Sequence, residues 1–202
     1  VALHKYIFPA NDSARVIVDL QEGIGWDSAT RTFIKMIDKN TFVGYRYSKG
    51  WAVDQRLWFA IKTSKPVASF AAYANGNFIS GESSDAHDVK GILSFSKNIG
   101  TAEFKVGISP VSYENALANI QAEMPGWNFN KVVGQARDKW RKALDVVRVQ
   151  SDDAARKRVL YTAMYHIMIA PILFNDADGS YRGTDKKIYP KASGNNCSVF
   201  SL

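Results

Sequence analysis

One stretch constrains the fold of this chain more than any other: RVLYTAMYHIMIAPILFNDADGSYRGTDKKIY, from Arg158 to Tyr189. A nearly all-apolar run leads there into a turn rich in carboxylates. From Val159 to Phe174 almost every residue is Val, Leu, Ile, Met, Ala, Tyr or Phe. With no polar face left for water, the run predicts a helix buried on most sides, against the helices before it or against a second chain. It is too short and too interrupted to span a bilayer. Pro171 lacks an N–H and its ring would press on the carbonyl of Ile167, so the helix should stop or kink near Ala170. The chain should then turn at Asn175 to Gly179.

What precedes this junction changes texture once. In the first half, Ala14, Val16, Val18 and Leu20 alternate with Arg15, Ile17 and Asp19. Leu57, Phe59 and Ile61 alternate with Arg56, Trp58 and Lys62, and Ala102, Phe104, Val106 and Ile108 with Glu103 and Lys105. Period two with one apolar face predicts antiparallel strands, and Lys39-Asn40, Asn75-Gly76-Asn77 and Asn98-Ile99-Gly100 supply hairpin turns between them. About eight such strands at short spacing predict a sandwich.

Past Ser109-Pro110 the pattern becomes helical. Tyr113 to Met124 reads as one helix. Asn128 opens a second, with Val133, Ala136, Trp140, Leu144 and Val147 on a core face, and Ser151 caps the third. The predicted fold is a mainly β sandwich followed by α-helices, with strands and helices segregated. The boundaries expected are 1–110 for the sandwich portion, 111–150 for connecting helices and 151–202 for the first helix and turn of a further helical domain.

Composition narrows the function classes. The net charge of +7 admits nucleic acid as a partner, but Lys and Arg are spread along the chain and interleave with Asp138 and Asp145 where they are densest. That is a solvated helix face, so no nucleic-acid partner is expected. A single cysteine, Cys197, excludes an internal disulfide and a cysteine-based zinc site. The opening Val1-Ala2-Leu3 has no signal-peptide pattern, and both ends stop on apolar residues, so the chain is expected to be an internal piece of a longer protein. Two glycosylation sequons, Asn11-Asp12-Ser13 and Asn196-Cys197-Ser198, are short enough to arise by chance.

Two constellations are candidates for function. Asp176, Asp178 and Asp185 form an acidic turn whose carboxylates could bind calcium or act as a paired acid and base. A loop after a helix commonly has this composition too. Tyr45, Tyr47, Trp51 and Trp58 form an aromatic set beside Lys49 and Gln55, and aromatic faces pack on sugar C–H groups. Trp51, in the Gly50-Trp51 turn, is the substrate-binding candidate of this set; Trp58 lies inside an alternating strand and reads as core. The histidines His4, His87 and His166 are isolated, without metal-ligand spacing.

The junction, YTAMYHIMIAPILFNDADGSYRGTDKKIY, resembles that of glycoside hydrolase family 92, the calcium-dependent exo-acting α-mannosidases. The family's Asp-x-Asp-Gly-x-Tyr-Arg-Gly-x-Asp becomes Asp176, Asp178, Gly179, Tyr181, Arg182, Gly183 and Asp185 here. The Thr41–Phe70 block is similar to the family's sandwich strands, and Val199–Leu202 to the lead-in of its Phe-Ser-Leu-Trp-Asp-Thr motif. The resemblance implies a fragment of a bacterial, secreted or periplasmic hydrolase. Its substrates would be glycans with terminal α-mannose, α-1,2-linked, cleaved with inversion and with calcium.

In that picture the helical part starts an α/α toroid, the remainder of the catalytic domain is its partner, and the acid and base lie past Leu202. No catalytic residue is then expected in this chain, which alone should hydrolyse no mannoside. Tyr181 and Arg182 are substrate-binding candidates on a stiff loop between Gly179 and Gly183. Arg182 is expected to pin two domains together rather than hold a sugar. The alternative function is a non-catalytic carbohydrate-binding or interaction module built on the sandwich.

Overall fold

The computed structural model describes residues 1–10, 13–80, 83–191 and 194–198. Val199–Leu202 and the first two residues of the sequon at Asn11 lie outside the described residues. The alternating patterns form strands as their period requires. A six-stranded antiparallel sheet has the order β1 (Ala2–Ile7), β10 (Thr101–Ser109), β5 (Gln55–Thr63), β4 (Thr41–Lys49), β3 (Ser28–Asp38), β8 (Ser83–Ala86). A four-stranded sheet, β2 (Arg15–Asp19), β9 (Val89–Ser94), β6 (Ser69–Ala74), β7 (Asn77–Ser80), packs against it. Ile34, Phe42, Phe59, Ile61 and Phe104 from the first sheet meet Phe70, Val89 and Leu93 from the second in one core. Two of the predicted hairpin turns take left-handed backbone, with φ of 50° and 77° at Asn75 and Gly76 and 61° and 68° at Asn98 and Gly100; the Lys39-Asn40 turn does not.

The outer face of the large sheet departs from simple alternation. Ala60, between the inward-facing Phe59 and Ile61, is also fully buried, because helix α1 (Tyr113–Glu123) lies on that face. Ala116 and Ile120 of α1 close over Val43 and Ala60. Gly107 makes the approach possible: a Cβ there would stand 2.3 Å from the Ala116 carbonyl oxygen and 2.7 Å from Ile120 Cγ1. Ser112 caps α1, its side chain accepting from the Asn115 N–H at 3.1 Å.

Lys105, read from alternation as a polar-face residue, is buried instead. Its Nζ donates to the Pro125 carbonyl at 3.1 Å and stands 4.2 Å from the Trp127 ring centre. The chain that leaves α1 folds back over it.

Helices α2 (Phe129–Leu144) and α3 (Ala154–Ile169) form where the pattern placed them, but their burial corrects two expectations. Neither buries a residue. Val159 is 69% exposed and Ile167 76%, so the apolar run is solvated in this chain rather than buried. The physical reason is a shortage of partners: α3 meets α2 through Trp140 and Tyr165, with ring centres 4.6 Å apart, and the Tyr161 hydroxyl donates to the Val147 carbonyl. The core face predicted for the second helix is likewise open at Val133 and Trp140, and Val147, expected on that face, lies past the end of α2 at Leu144 and is exposed too. The cap of α3 is Asp153, accepting from the Arg156 N–H at 3.0 Å; Ser151 accepts from the Asp153 N–H one step earlier. At the far end α3 stops before Pro171, as the missing N–H demands. Two-residue strands follow: β11 (Ile172–Leu173) pairs with β14 (Cys197–Ser198), and β12 (Tyr181–Arg182) with β13 (Ile188–Tyr189).

Candidate functional site

The acidic turn after α3 is held by side chains that patterning did not single out. Asp176 is only 4% exposed. The Ser109 hydroxyl donates to its Oδ2 at 2.6 Å and the Asn119 amide to its Oδ1 at 2.7 Å. Asn119 also donates to the Ile108 carbonyl and accepts from the Ala177 N–H. One turn earlier on α1, Asn115 donates to Asp178 Oδ2 at 3.1 Å and to the Ser180 hydroxyl at 2.8 Å. The end of β10, one face of α1 and the turn are thereby joined in one polar network. The sequence signal for it was two amides four apart, Asn115 and Asn119, on a helix whose other inward residues are apolar.

The three aspartates do not converge. Asp176 and Asp178 face α1, whereas Asp185 stays in its own hairpin, accepting from the Tyr189 hydroxyl at 2.7 Å and the Lys187 N–H at 3.1 Å. Burial lifts the Asp176 carboxyl above the ordinary 3.8, outweighing its hydrogen bonds from Ser109 and Asn119. Hydrogen bonds from Ser180 hold Asp178 below that value, and the Tyr189 hydroxyl does the same for Asp185.

A calcium cage is made of oxygen acceptors, but these carboxylates are ringed by N–H and O–H donors. They do not fit a resident calcium. Among the described residues no group of three or more His, Cys, Asp and Glu could hold a metal ion.

Arg182 turns toward the sandwich. Its side chain is 14% exposed, and its guanidinium donates to the Asp54 carboxylate at 2.8 Å and to the Asp54 carbonyl at 3.1 Å. Asp54 also pairs with Arg56 at 3.2 Å. Tyr181 stacks on Tyr189, ring centres 5.2 Å apart and planes 18° from parallel, so one of its two faces is covered within the hairpin.

On the sandwich rim the aromatic set divides. Tyr45 stacks on Tyr47 at 4.3 Å, and Trp58 meets both rings edge-on and reaches Tyr113 of α1; these rings are packed. Trp51 is not part of that cluster: it is 73% exposed, with Trp26 at 6.1 Å. Trp26, absent from the sequence-derived set, lies in a stretch of turn residues with no periodicity to mark it.

Comparison with known proteins places this arrangement. The model for the Glycosyl hydrolase family 92 N-terminal domain matches residues 1–109, and that for the Glycosyl hydrolase family 92 catalytic domain matches residues 115–202. A family GH92 α-mannosidase from Bacteroides thetaiotaomicron has a similar structure, with a TM-score of 0.90 and 25% identity, covering 96% of this chain and 27% of that one. An inverting GH92 mannosidase from Bacteroides thetaiotaomicron VPI-5482 shares the fold at a TM-score of 0.84 and 19% identity, over 98% of this chain and 27% of its own. A protein of Arthroderma benhamiae described as an uncharacterized secreted glycosidase is 31% identical over 71 residues, 33% of this chain and 9% of its own.

The chain spans about a quarter of the length of the solved structures it matches. Its two family matches adjoin between Ser109 and Asn115, where the Asp176 network ties β10 to α1. Matched by both models in their order along the sequence, the chain belongs to glycosyl hydrolase family 92.

Proposed function

We propose that this chain is the β domain and the first helices of the catalytic domain of a hydrolase that removes terminal α-mannose, α-1,2-linked, from glycans with inversion. The observation that carries the reading is the likeness to an α-mannosidase over 96% of this chain at a TM-score of 0.90. A neighbouring structure of that protein is in complex with mannoimidazole, and another relative is named an inverting mannosidase. Inversion needs a carboxylic acid to protonate the leaving oxygen and a carboxylate, on the opposite face of the sugar, to activate a water.

We assign neither role to a residue of this chain. Asp176 is enclosed by Ser109 and Asn119, and the exposed Asp178 and Asp185 accept hydrogen bonds from their own loops and do not converge as a facing pair. Calcium belongs to the proposal through the family resemblance, with ligands other than these three aspartates. Arg182 acts as the pin between domains, Trp51 as a sugar contact, and the exposed faces of α2 and α3 pack against the remainder of the catalytic domain. Secretion or export to a bacterial periplasm fits the relative named a secreted glycosidase. Among the described residues no helix is long and apolar enough to cross a membrane.

The test is turnover of an aryl α-mannoside. The pure 202-residue chain should show none, and the same chain extended through the rest of the family's catalytic domain should release mannose of inverted anomeric configuration, read by NMR. Turnover by the short chain would overturn the placement of the acid and base. The second reading, a non-catalytic carbohydrate-binding module, is favoured by the exposed Trp26 and Trp51; it gains if the extended chain binds mannosides without cleaving them.

A further inference from the structure

The loop from Leu20 to Asp27 closes over a partly buried cation. Arg46 of β4 donates from Nε to the Leu20 carbonyl at 3.0 Å, and its Nη1 lies 2.6 Å from Asp27 Oδ1. Gly23 lets the loop close: a Cβ there would stand 2.7 Å from Arg46 Nη2 and 2.5 Å from the Asp27 carbonyl oxygen. The far side of the loop touches the turn that holds Trp51, since a Cβ on Gly50 would lie 3.0 Å from Asp27 Cα. One guanidinium therefore sets where the Trp26 loop rests against the Trp51 turn. Trp26 emerges 70% exposed, its ring tilted 41° to that of Trp51.

Trp26, Ser28, Lys49, Gly50 and Val53 line a shallow, open surface depression of about 340 Å³, room for one sugar ring laid against it rather than an enclosing pocket. Its wall combines an indole face with a hydroxyl and an ammonium group, the mixture that recognises a pyranose ring with its C–H face and its hydroxyls. Val53 precedes Asp54, which accepts from Arg182, so the depression borders the junction with the catalytic-domain stretch.

We propose that Trp26 is a specificity-determining residue of this enzyme, contributing its indole face to a site for one pyranose ring of the glycan, with Arg46 and Asp27 as its positioning residues. The inference rests on the proposed glycan substrate and extends it to a ring contacted by the β domain. Trp51 stands beside this site, and Ser28 and Lys49 meet the sugar hydroxyls.

The experiment is a titration of α-1,2-mannobiose and of cellobiose into the 202-residue chain, followed by calorimetry and by ligand-observed saturation-transfer NMR. Trp26→Ala should weaken mannobiose binding about three- to tenfold. Arg46→Met should weaken it to a similar degree and shift the Trp26 indole resonance, with Arg46→Lys recovering part of both. A merely structural Arg46 would lower the melting temperature and leave the affinity of the folded protein unchanged. Asp27→Asn, which keeps the shape and removes the charge, serves if Arg46→Met fails to fold.

Mannobiose binding that Trp26→Ala leaves intact would overturn the inference while sparing the proposed function. Cellobiose bound in preference, with the same dependence on Trp26, would sink the mannose reading and keep the site. Binding of neither sugar would overturn the inference.

Discussion

Helices α1 and α3 make opposite use of their side chains. By sequence α3 is the more apolar and α1 the more mixed, yet α1 buries Ala116, Asn119 and Ile120 whereas α3 buries nothing. The difference lies in what each helix meets. Helix α1 finds a sheet face whose Gly107 and Ala60 leave room for it, and its two amides find the backbone and carboxylates of the acidic turn. Among the described residues, helix α3 meets one side of α2 and the link between them. Apolar content states a demand for burial; a complementary surface decides whether the demand is met.

The contrast is broken most sharply by paired truncations. Ile120→Ala removes a side chain enclosed between α1 and the sheet and should destabilise the chain by about 3 kcal/mol. Ile167→Ala, three quarters exposed on α3, should change stability by less than about 0.5 kcal/mol. Chemical denaturation of both variants reads the two numbers in one experiment, and equal effects would erase the distinction. Next in size is the polar staple: Asn119→Ala leaves the buried Asp176 Oδ1 without its donor, Ser109 still serving Oδ2, and should cost about 2 kcal/mol.

Arg182→Ala should cost about 1.5 kcal/mol and lower the melting temperature by a few degrees, since Asp54 keeps Arg56 as a partner. In a chain extended through the catalytic domain it should leave the affinity for mannose largely unchanged. A large rise in KM with no loss of stability would make Arg182 a sugar ligand instead of a pin.

The smallest predicted effects are pH slopes of opposite sign at the two staples. Burial raises the Asp176 carboxyl above 3.8 in the fold, so the folded state takes up its proton first as pH falls. Its contribution is full below the unfolded value and is lost as pH rises through the raised one. Wild type should therefore gain stability relative to Asp176→Asn as pH drops from 7 toward 4. Asp54 behaves in reverse: burial acts to raise its carboxyl, but hydrogen bonds from Arg56 and Arg182 prevail and hold it below 3.8. Its contribution is present above the unfolded value and lost as pH falls through the lowered one. Wild type should lose stability relative to Asp54→Asn below about pH 4. Melting temperatures of the three proteins across pH 3 to 7 check both signs.

These features differ in how far they could be read from the sequence. Period-two alternation at Val16–Leu20 and Phe59–Ile61, with left-handed turns at Asn75-Gly76, made the sandwich legible because each signal is local. Pro171 marked the end of α3 for the same reason. The burial of Ala60 and Lys105 was not legible, since it depends on α1 and on Trp127, which return from far along the chain.

At the site, the Asp-x-Asp-Gly turn and Arg182 stood out as motif residues, but their partners Ser109, Asn119 and Asp54 are ordinary residues that only the fold brings near. Trp26 went unnoticed for a related reason. Its place is set by a loop that closes on Arg46, a residue of strand β4 in an unrelated pattern.

Amide hydrogen exchange, resolved by peptide, tests the central claim most directly, because protection reports the free energy of opening at each helix. In the 202-residue chain, peptides from Ala116–Glu123 should be protected to nearly the level of the sandwich strands. Those from Leu160–Ile169 should exchange at least about a hundredfold faster, and should become protected when the rest of the catalytic domain is present. Equal protection of the two helices in the short chain would contradict the account, for it would mean that α3 is already buried without that partner.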